Sequence, residues 1–221
     1  MFLPQSREPL DAWGRWLKVK RNAVEIAWQT RHRLAGAALY LSSVTDPYQP
    51  IERSLFLTRG IIEALVDVQP RLLVQTRGPL VTRDVDLLSQ LRRVRIHFSI
   101  PTDCDDVRRR FEPKAPPLDR RWKAIRLLKS QGLSVGICVT PVLPLADPVC
   151  FAERLSELQP DVIVVQTFHE RRGCFGADTG PKARALLPSA DSLDRDYDRL
   201  VEQLHRVGLR PYDGEAGFFP P

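Results

Sequence analysis

The stretch Leu41-Ser-Ser-Val-Thr-Asp-Pro-Tyr-Gln-Pro-Ile-Glu52 decides how the rest of the chain reads. An apolar run, Ala37 to Leu41, stops at two serines, turns at Pro47 and Pro50, and gives way to a helix-like pattern from Ile51. Strand, polar loop, then helix is the layout of an α/β unit. Ligands of such units sit at the carboxyl ends of the strands, so Ser43, Thr45 and Asp46 stand where a site would form. The same residue types also cap helices and restrict turns, and the spacing alone leaves both roles open.

Working outward, the alternation continues. Strand-like runs fall at Ala37–Ser42, Leu72–Thr76, Val94–Ile100, Leu133–Thr140 and Val162–Thr167. Helical patterns lie between them at Ile51–Val68, Arg83–Leu91, Leu118–Gln131 and Pro148–Leu158, with a last one at Leu193–Val207. Upstream, Asn22 is placed to cap a helix running to about Leu34. This order predicts a parallel sheet with helical crossovers. In the third run Val94, Ile96 and Phe98 alternate with Arg95, His97 and Ser99, and in the fourth Val135, Ile137 and Val139 alternate with Ser134, Gly136, Cys138 and Thr140. A sheet covered by helices on both faces would read as nearly continuous apolar residues. One apolar face and one small or polar face instead predict a partial β/α barrel with an open, polar concavity. The special residues then gather in the loops after the strands, at one rim. The segment 168–188, with Gly173, Gly176, Gly180 and Pro181, reads as a lid or a surface loop.

Composition narrows the class. The chain has 221 residues, enough for one large domain, and its hydrophobic and charged fractions are ordinary for a globular protein. No apolar run approaches the roughly 20 residues that span a bilayer, and no apolar segment follows Met1-Phe-Leu-Pro4 as a signal peptide requires. A cytoplasmic protein is the simplest reading, with no membrane partner. The four cysteines, Cys104, Cys138, Cys150 and Cys174, lie at least twelve positions apart and form no metal-binding spacing. The net charge of +6 is uneven: between Val107 and Arg126 eight basic residues face two acidic ones. That segment, 108–126, is either a nucleic-acid or partner surface or a solvated loop and helix face. Asp46, Asp84 and Asp86 are acid–base candidates for a metal-free barrel enzyme, although Asp84 and Asp86 also suit the start of the third helix. Glycine-rich nucleotide loops and the G-x-S-x-G elbow are absent.

Six phrases occur in the order of a known family. They are Thr45-Asp-Pro-Tyr-Gln-Pro-Ile-Glu52 with Leu57-Thr-Arg59; Thr76-Arg77-Gly-Pro-Leu-Val-Thr-Arg-Asp-Val-Asp-Leu-Leu88; Val94–Thr102; Phe111-Glu-Pro113; Ala115-Pro116 with Arg120-Arg121; and Gly132-Leu-Ser-Val-Gly-Ile-Cys-Val-Thr-Pro-Val-Leu-Pro144. Over roughly Trp13 to Pro144 the chain resembles the branch of radical SAM enzymes related to spore photoproduct lyase. The resemblance implies a partial (β/α)6 barrel that binds S-adenosylmethionine and a [4Fe-4S] cluster. It implies a reductant such as flavodoxin or ferredoxin, and reductive cleavage of S-adenosylmethionine to start radical chemistry on an unknown substrate. Carried over position by position, it places Ser43, Thr45, Asp46, Arg77 and Ser99 around the cofactor. Thr45 and Asp46 would lie near the methionyl group. Arg77 stands where the lyase is expected to have a lysine that meets the carboxylate, and a guanidinium can do this bidentately.

Two departures shape the expectation. The family's C-x-x-x-C-x-x-C motif belongs before Trp13, and no cysteine precedes Cys104. The resemblance therefore implies a barrel lacking its first strand, with Met1 an internal start, and a chain inactive as it stands. Residues 1–21 would be the remnant of the post-cluster loop, 22–167 the barrel core, and 168–221 an irregular loop and helix completing the same domain. Trp13, Trp16 and Trp28 would leave an apolar N-terminal face in need of cover. Ser43 stands where the lyase has a hydrogen-donating cysteine, so repair of that DNA lesion is not expected.

Overall fold

In the computed structural model the structure describes residues 17–41, 45–167, 185, 190–218 and 221. Five parallel strands lie in sequence order in one sheet: β1 (Ala38–Leu41), β2 (Arg71–Thr76), β3 (Val94–Ser99), β4 (Ser134–Val139) and β5 (Val162–Val165). Each strand falls within one or two residues of the apolar run that predicted it. The expected lid at 168–188, apart from residue 185, and Trp13, Trp16 and Ser43 lie outside the described residues.

The helices are α1 (Ala23–Thr30), α2 (Glu52–Leu55), α3 (Leu57–Val66), α4 (Val85–Leu88), α5 (Asp105–Phe111), α6 (Leu118–Ser130), α7 (Pro148–Glu157) and α8 (Ala190–Arg206). Three corrections follow. Asn22 precedes α1 but makes no side-chain cap bond. The helix expected over 51–68 breaks at Phe56, whose left-handed φ of 53° directs its N–H back to Glu52 O and restarts the chain as α3. The pattern at Arg83–Leu91 is a 3-10 helix, Pro79–Asp84, running into the short α4. By contrast α7 starts as its sequence asks: Pro148 occupies the first turn, and Asp147 Oδ1 accepts from the N–H groups of Val149 and Cys150 at 3.0 Å.

Because the strands run in order, their crossovers cover one face. Leu72, Val74, Ile96, Phe98, Val135, Ile137 and Val165 point there, against Ile62, Leu65, Ile125, Leu128, Phe151 and Leu155 of the helices. Trp122 completes this core edge-on to Phe151, with the Arg154 guanidinium 4.4 Å above its ring. The opposite face carries His97, Ser99 and Cys138, as the alternation in the third and fourth runs predicted, and also Tyr40 and Gln75, which hydrogen-bond to each other.

That inner face is not open at its middle. His97 and Cys138 are fully buried and Ser99 is 2% exposed. After α8, Tyr212 pairs with β5 through Tyr212 N–H to Ile163 O and Val165 N–H to Tyr212 O. A 3-10 turn, Glu215–Phe218, then brings Phe218 across, its ring 6.3 Å from Tyr40 and 5.7 Å from His97. Gly217 permits this approach, since a Cβ there would meet Val164 at 2.3 Å.

The His97 ring lies over Gly136, where a Cβ would meet Nε2 at 2.4 Å, and its Nδ1 is 3.2 Å from Cys138 Sγ. Burial raises the Cys138 pKa, which keeps the thiol protonated beside the ring. Burial first, then the charge of Arg95, lowers the His97 pKa from 6.5 to about 3. Below pH 6.5 the unfolded chain takes up a proton that the folded chain refuses. Stability owed to neutral His97 is therefore complete above that pH and declines toward pH 3, by at most ~1.4 kcal/mol per pH unit. Urea unfolding between pH 7 and 4 should show this loss, and His97→Gln should flatten it. A difference between the two proteins that stays constant with pH would rule the buried neutral histidine out.

Candidate functional site

The rim at the carboxyl ends of β1, β2 and β3 is built around the Asp46 carboxylate. Its Oδ1 accepts from Tyr48 N–H at 2.8 Å, an Asx turn, and from the Thr76 hydroxyl at 2.7 Å. Its Oδ2 accepts from Arg77 N–H at 2.7 Å. Thr76 Oγ1 in turn accepts from Gly78 N–H at 2.8 Å. The loops after β1 and β2 press so closely that a Cβ on Gly78 would meet Tyr48 O at 2.8 Å. Three of the carboxylate's roughly four acceptor positions are therefore taken by the chain itself. Asp46 lies in the loop after β1, as the strand–loop–helix reading expected, and its oxygens hold the rim together. Thr45 beside it is exposed.

Arg77 and Ser99 are joined through two residues that the motif reading quoted without assigning a task. Arg77 is 45% exposed, and its Nε lies 2.6 Å from Glu112 Oε1. Glu112 Oε2 accepts from Arg121 Nη2 at 2.7 Å. Arg121 also donates from Nη1 to Ser99 O at 2.9 Å and from Nε to Pro116 O at 3.0 Å. Its side chain is fully buried. Burial lowers its pKa and Glu112 opposes that shift, so the carboxylate keeps an interior guanidinium charged. Ser99 Oγ is buried with no hydrogen-bond partner among the described residues. Thr45, Asp46, Arg77 and Ser99 thus share one connected rim. A cleft of ≈ 130 Å³ opens beside Thr45 and Asp46, lined also by Lys20, Gln49 and Glu52. It is well below the few hundred Å³ of a pocket that encloses a whole drug-sized ligand.

The other candidates resolve differently. Asp84 is fully buried and ion-paired with Arg59 at 3.1 Å and Arg83 at 2.7 Å, and it makes no helix cap. A hydrogen bond from Arg59 holds the Asp86 carboxyl below its ordinary range, which leaves it a weak base. Glu52 closes this cluster through Arg83 at 2.9 Å. In the basic segment, Arg108 and Arg121 are buried, Arg108 and Arg109 pair with Asp105, and Lys123 pairs with Asp119. Much of its charge therefore serves the fold. Cys104 is half-buried, Cys138 buried and Cys150 exposed. Among the described residues no group of three or more His, Cys, Asp or Glu side chains is arranged to hold a metal ion. Among them too, no helix is long and apolar enough to cross a membrane.

Comparison with known proteins agrees with this architecture. The family model of the Radical SAM superfamily matches residues 11–149. An uncharacterized protein of Acidianus two-tailed virus is 33% identical over 211 residues, which cover 90% of this chain and 67% of that one. An uncharacterized protein of Methanocaldococcus jannaschii is 29% identical over 132 residues, 60% of this chain and 49% of that one. Among solved structures, a spore photoproduct lyase variant superposes with a TM-score of 0.62 at 15% identity, covering 87% of this chain and 66% of that one. A further variant of it, with bound AdoMet and dinucleoside spore photoproduct, gives 0.56 at 16% identity over 87% and 66%. The chain thus spans between half and two thirds of these relatives.

The rim geometry sets an expectation for stability. Asp46→Ala removes the acceptor of three hydrogen bonds, two of them from backbone N–H groups, and should cost about 2–4 kcal/mol in chemical unfolding. Asp46→Asn should recover part of that, because the amide oxygen still accepts. An unchanged unfolding midpoint in the alanine variant would show that the carboxylate does not hold the loops.

Proposed function

Because the chain belongs to the radical SAM superfamily, we propose that the rim after β1, β2 and β3 binds S-adenosylmethionine by its methionyl end. The observation that carries this reading is the half-exposed Arg77 guanidinium. At the strand ends its Nε lies 2.6 Å from Glu112 Oε1, an ion pair that places the guanidinium beside the rim. The terminal nitrogens can then take a carboxylate bidentately. Thr45, exposed at the rim, and Ser99, with its unpartnered hydroxyl, supply further polar contacts. Asp46 acts through the loop it shapes, holding Thr45 and the Arg77 backbone in register.

The described residues do not fit a [4Fe-4S] cluster. Cys138 is committed to His97 in the interior, Cys150 stands in the first turn of α7, and no C-x-x-x-C-x-x-C occurs in the sequence. On this reading the rim binds the cofactor, and turning it over requires cluster ligands beyond the described residues. The radical reaction, its reductant and its substrate belong to a form that carries cluster ligands.

Isothermal titration of the purified chain with S-adenosylmethionine tests the reading. Saturable binding is expected, and Arg77→Gln should weaken it about tenfold, as loss of one charge-assisted contact does. No binding by the unaltered chain, or equal affinity in the variant, would overturn it.

A further inference from the structure

We propose that Glu112 and Arg121 are positioning residues that aim Arg77 at the ligand carboxylate, an inference that rests on the reading of Arg77 as its receptor. The argument begins with Arg121. It is fully buried, and each of its three nitrogens has an acceptor: Pro116 O, Ser99 O and Glu112 Oε2. A guanidinium held on all sides is a fixed point. Glu112, at the end of α5 and 14% exposed, hangs from that point by one oxygen and holds Arg77 Nε by the other. A carboxylate can accept from two guanidinium groups at once, whereas an amide has one acceptor oxygen and would turn its NH2 toward the other cation.

Charge completes the argument. Two arginines share one glutamate, so the group carries a surplus positive charge. Arg121, in the interior, requires the glutamate's charge most, because burial penalises it. The surplus is left on Arg77 at the rim, where an incoming carboxylate would neutralise it. The grip on Nε also explains why arginine suits this position. A lysine ammonium in its place could pair with Glu112 or reach the ligand, but it has no second edge with which to do both. Because Arg121 also holds Ser99 O, the end of β3 and the guanidinium after β2 hang from the same anchor.

The test compares two probes in titrations with the unaltered chain, Glu112→Gln, Arg77→Gln and Arg77→Lys. One probe is S-adenosylmethionine. The other is 5′-deoxy-5′-methylthioadenosine, which lacks the amino-acid carboxylate. Glu112→Gln should weaken S-adenosylmethionine about five- to tenfold and leave methylthioadenosine unchanged. Arg77→Lys, which keeps the charge and does not disturb the interior, should lose the same selectivity. Equal weakening of both probes in Glu112→Gln would make Glu112 a fold residue only. Loss in Arg77→Gln with full affinity in Glu112→Gln, or full affinity in Arg77→Lys, would remove the positioning role and leave Arg77 as the receptor. An unaltered chain that binds no S-adenosylmethionine, or an Arg77→Gln variant that binds as tightly, would remove the receptor reading and the positioning role together.

Discussion

The rim depends on one carboxylate. In a parallel sheet the strand ends cannot be closed by tight hairpins, so the loops that leave them must be tied to each other by side chains or be left to move. Asp46 supplies that tie between the loops after β1 and β2, and Thr76 passes it on to Gly78. The next tie, from β2 to β3, runs through Arg77, Glu112 and Arg121 to Ser99 O. Three consecutive strand ends thereby become one polar structure. If the rim binds a ligand as proposed, parts already tied together lower the entropy that binding must overcome.

The sequence predicts much of the fold because a singly covered parallel sheet has a simple signature. Val94, Ile96 and Phe98 must meet helices, and Arg95, His97 and Ser99 must not, so the alternation follows from burial. What tertiary contacts decide is hidden. Nothing around Phe56 announces a helix break. The left-handed turn there is held among long-range contacts, with Arg83 stacked 4.6 Å from the Phe56 ring and bound to Glu52. Helix α5 is obscured because its charges read as a surface patch, yet Arg108 pairs inward with Asp105 across one helical turn. The cover on the inner face is equally hidden, since residues 212–218 show no strand or helix period. Phe218 finds Tyr40 and His97 only once the sheet exists.

The candidate site divides along the same line. Thr45, Arg77 and Ser99 could be located at strand ends from the sequence, with the family's phrases indicating which polar residues to choose. Asp46 could be located but not assigned, because an acceptor that holds two loops and one that touches a ligand are the same residue type at the same position. The pairing of Glu112 with Arg121 was out of reach. The two are nine positions apart, across a proline-containing turn between helices, and each reads as one more charge in a charged run.

The two arginines of the rim play opposite parts, and burial separates them. Arg121 is interior, so its charge must be compensated within the fold, and a change there exposes Glu112 and the Ser99 carbonyl to the loss of their donor. Arg77 is half in water, so its charge is partly screened and the fold does not need it neutralised. Glu112 serves both demands at once: it stabilises the buried cation and restrains the exposed one. On the proposed binding of S-adenosylmethionine, recognition would fall to the arginine whose charge water partly screens, and its direction to the arginine the fold cannot release.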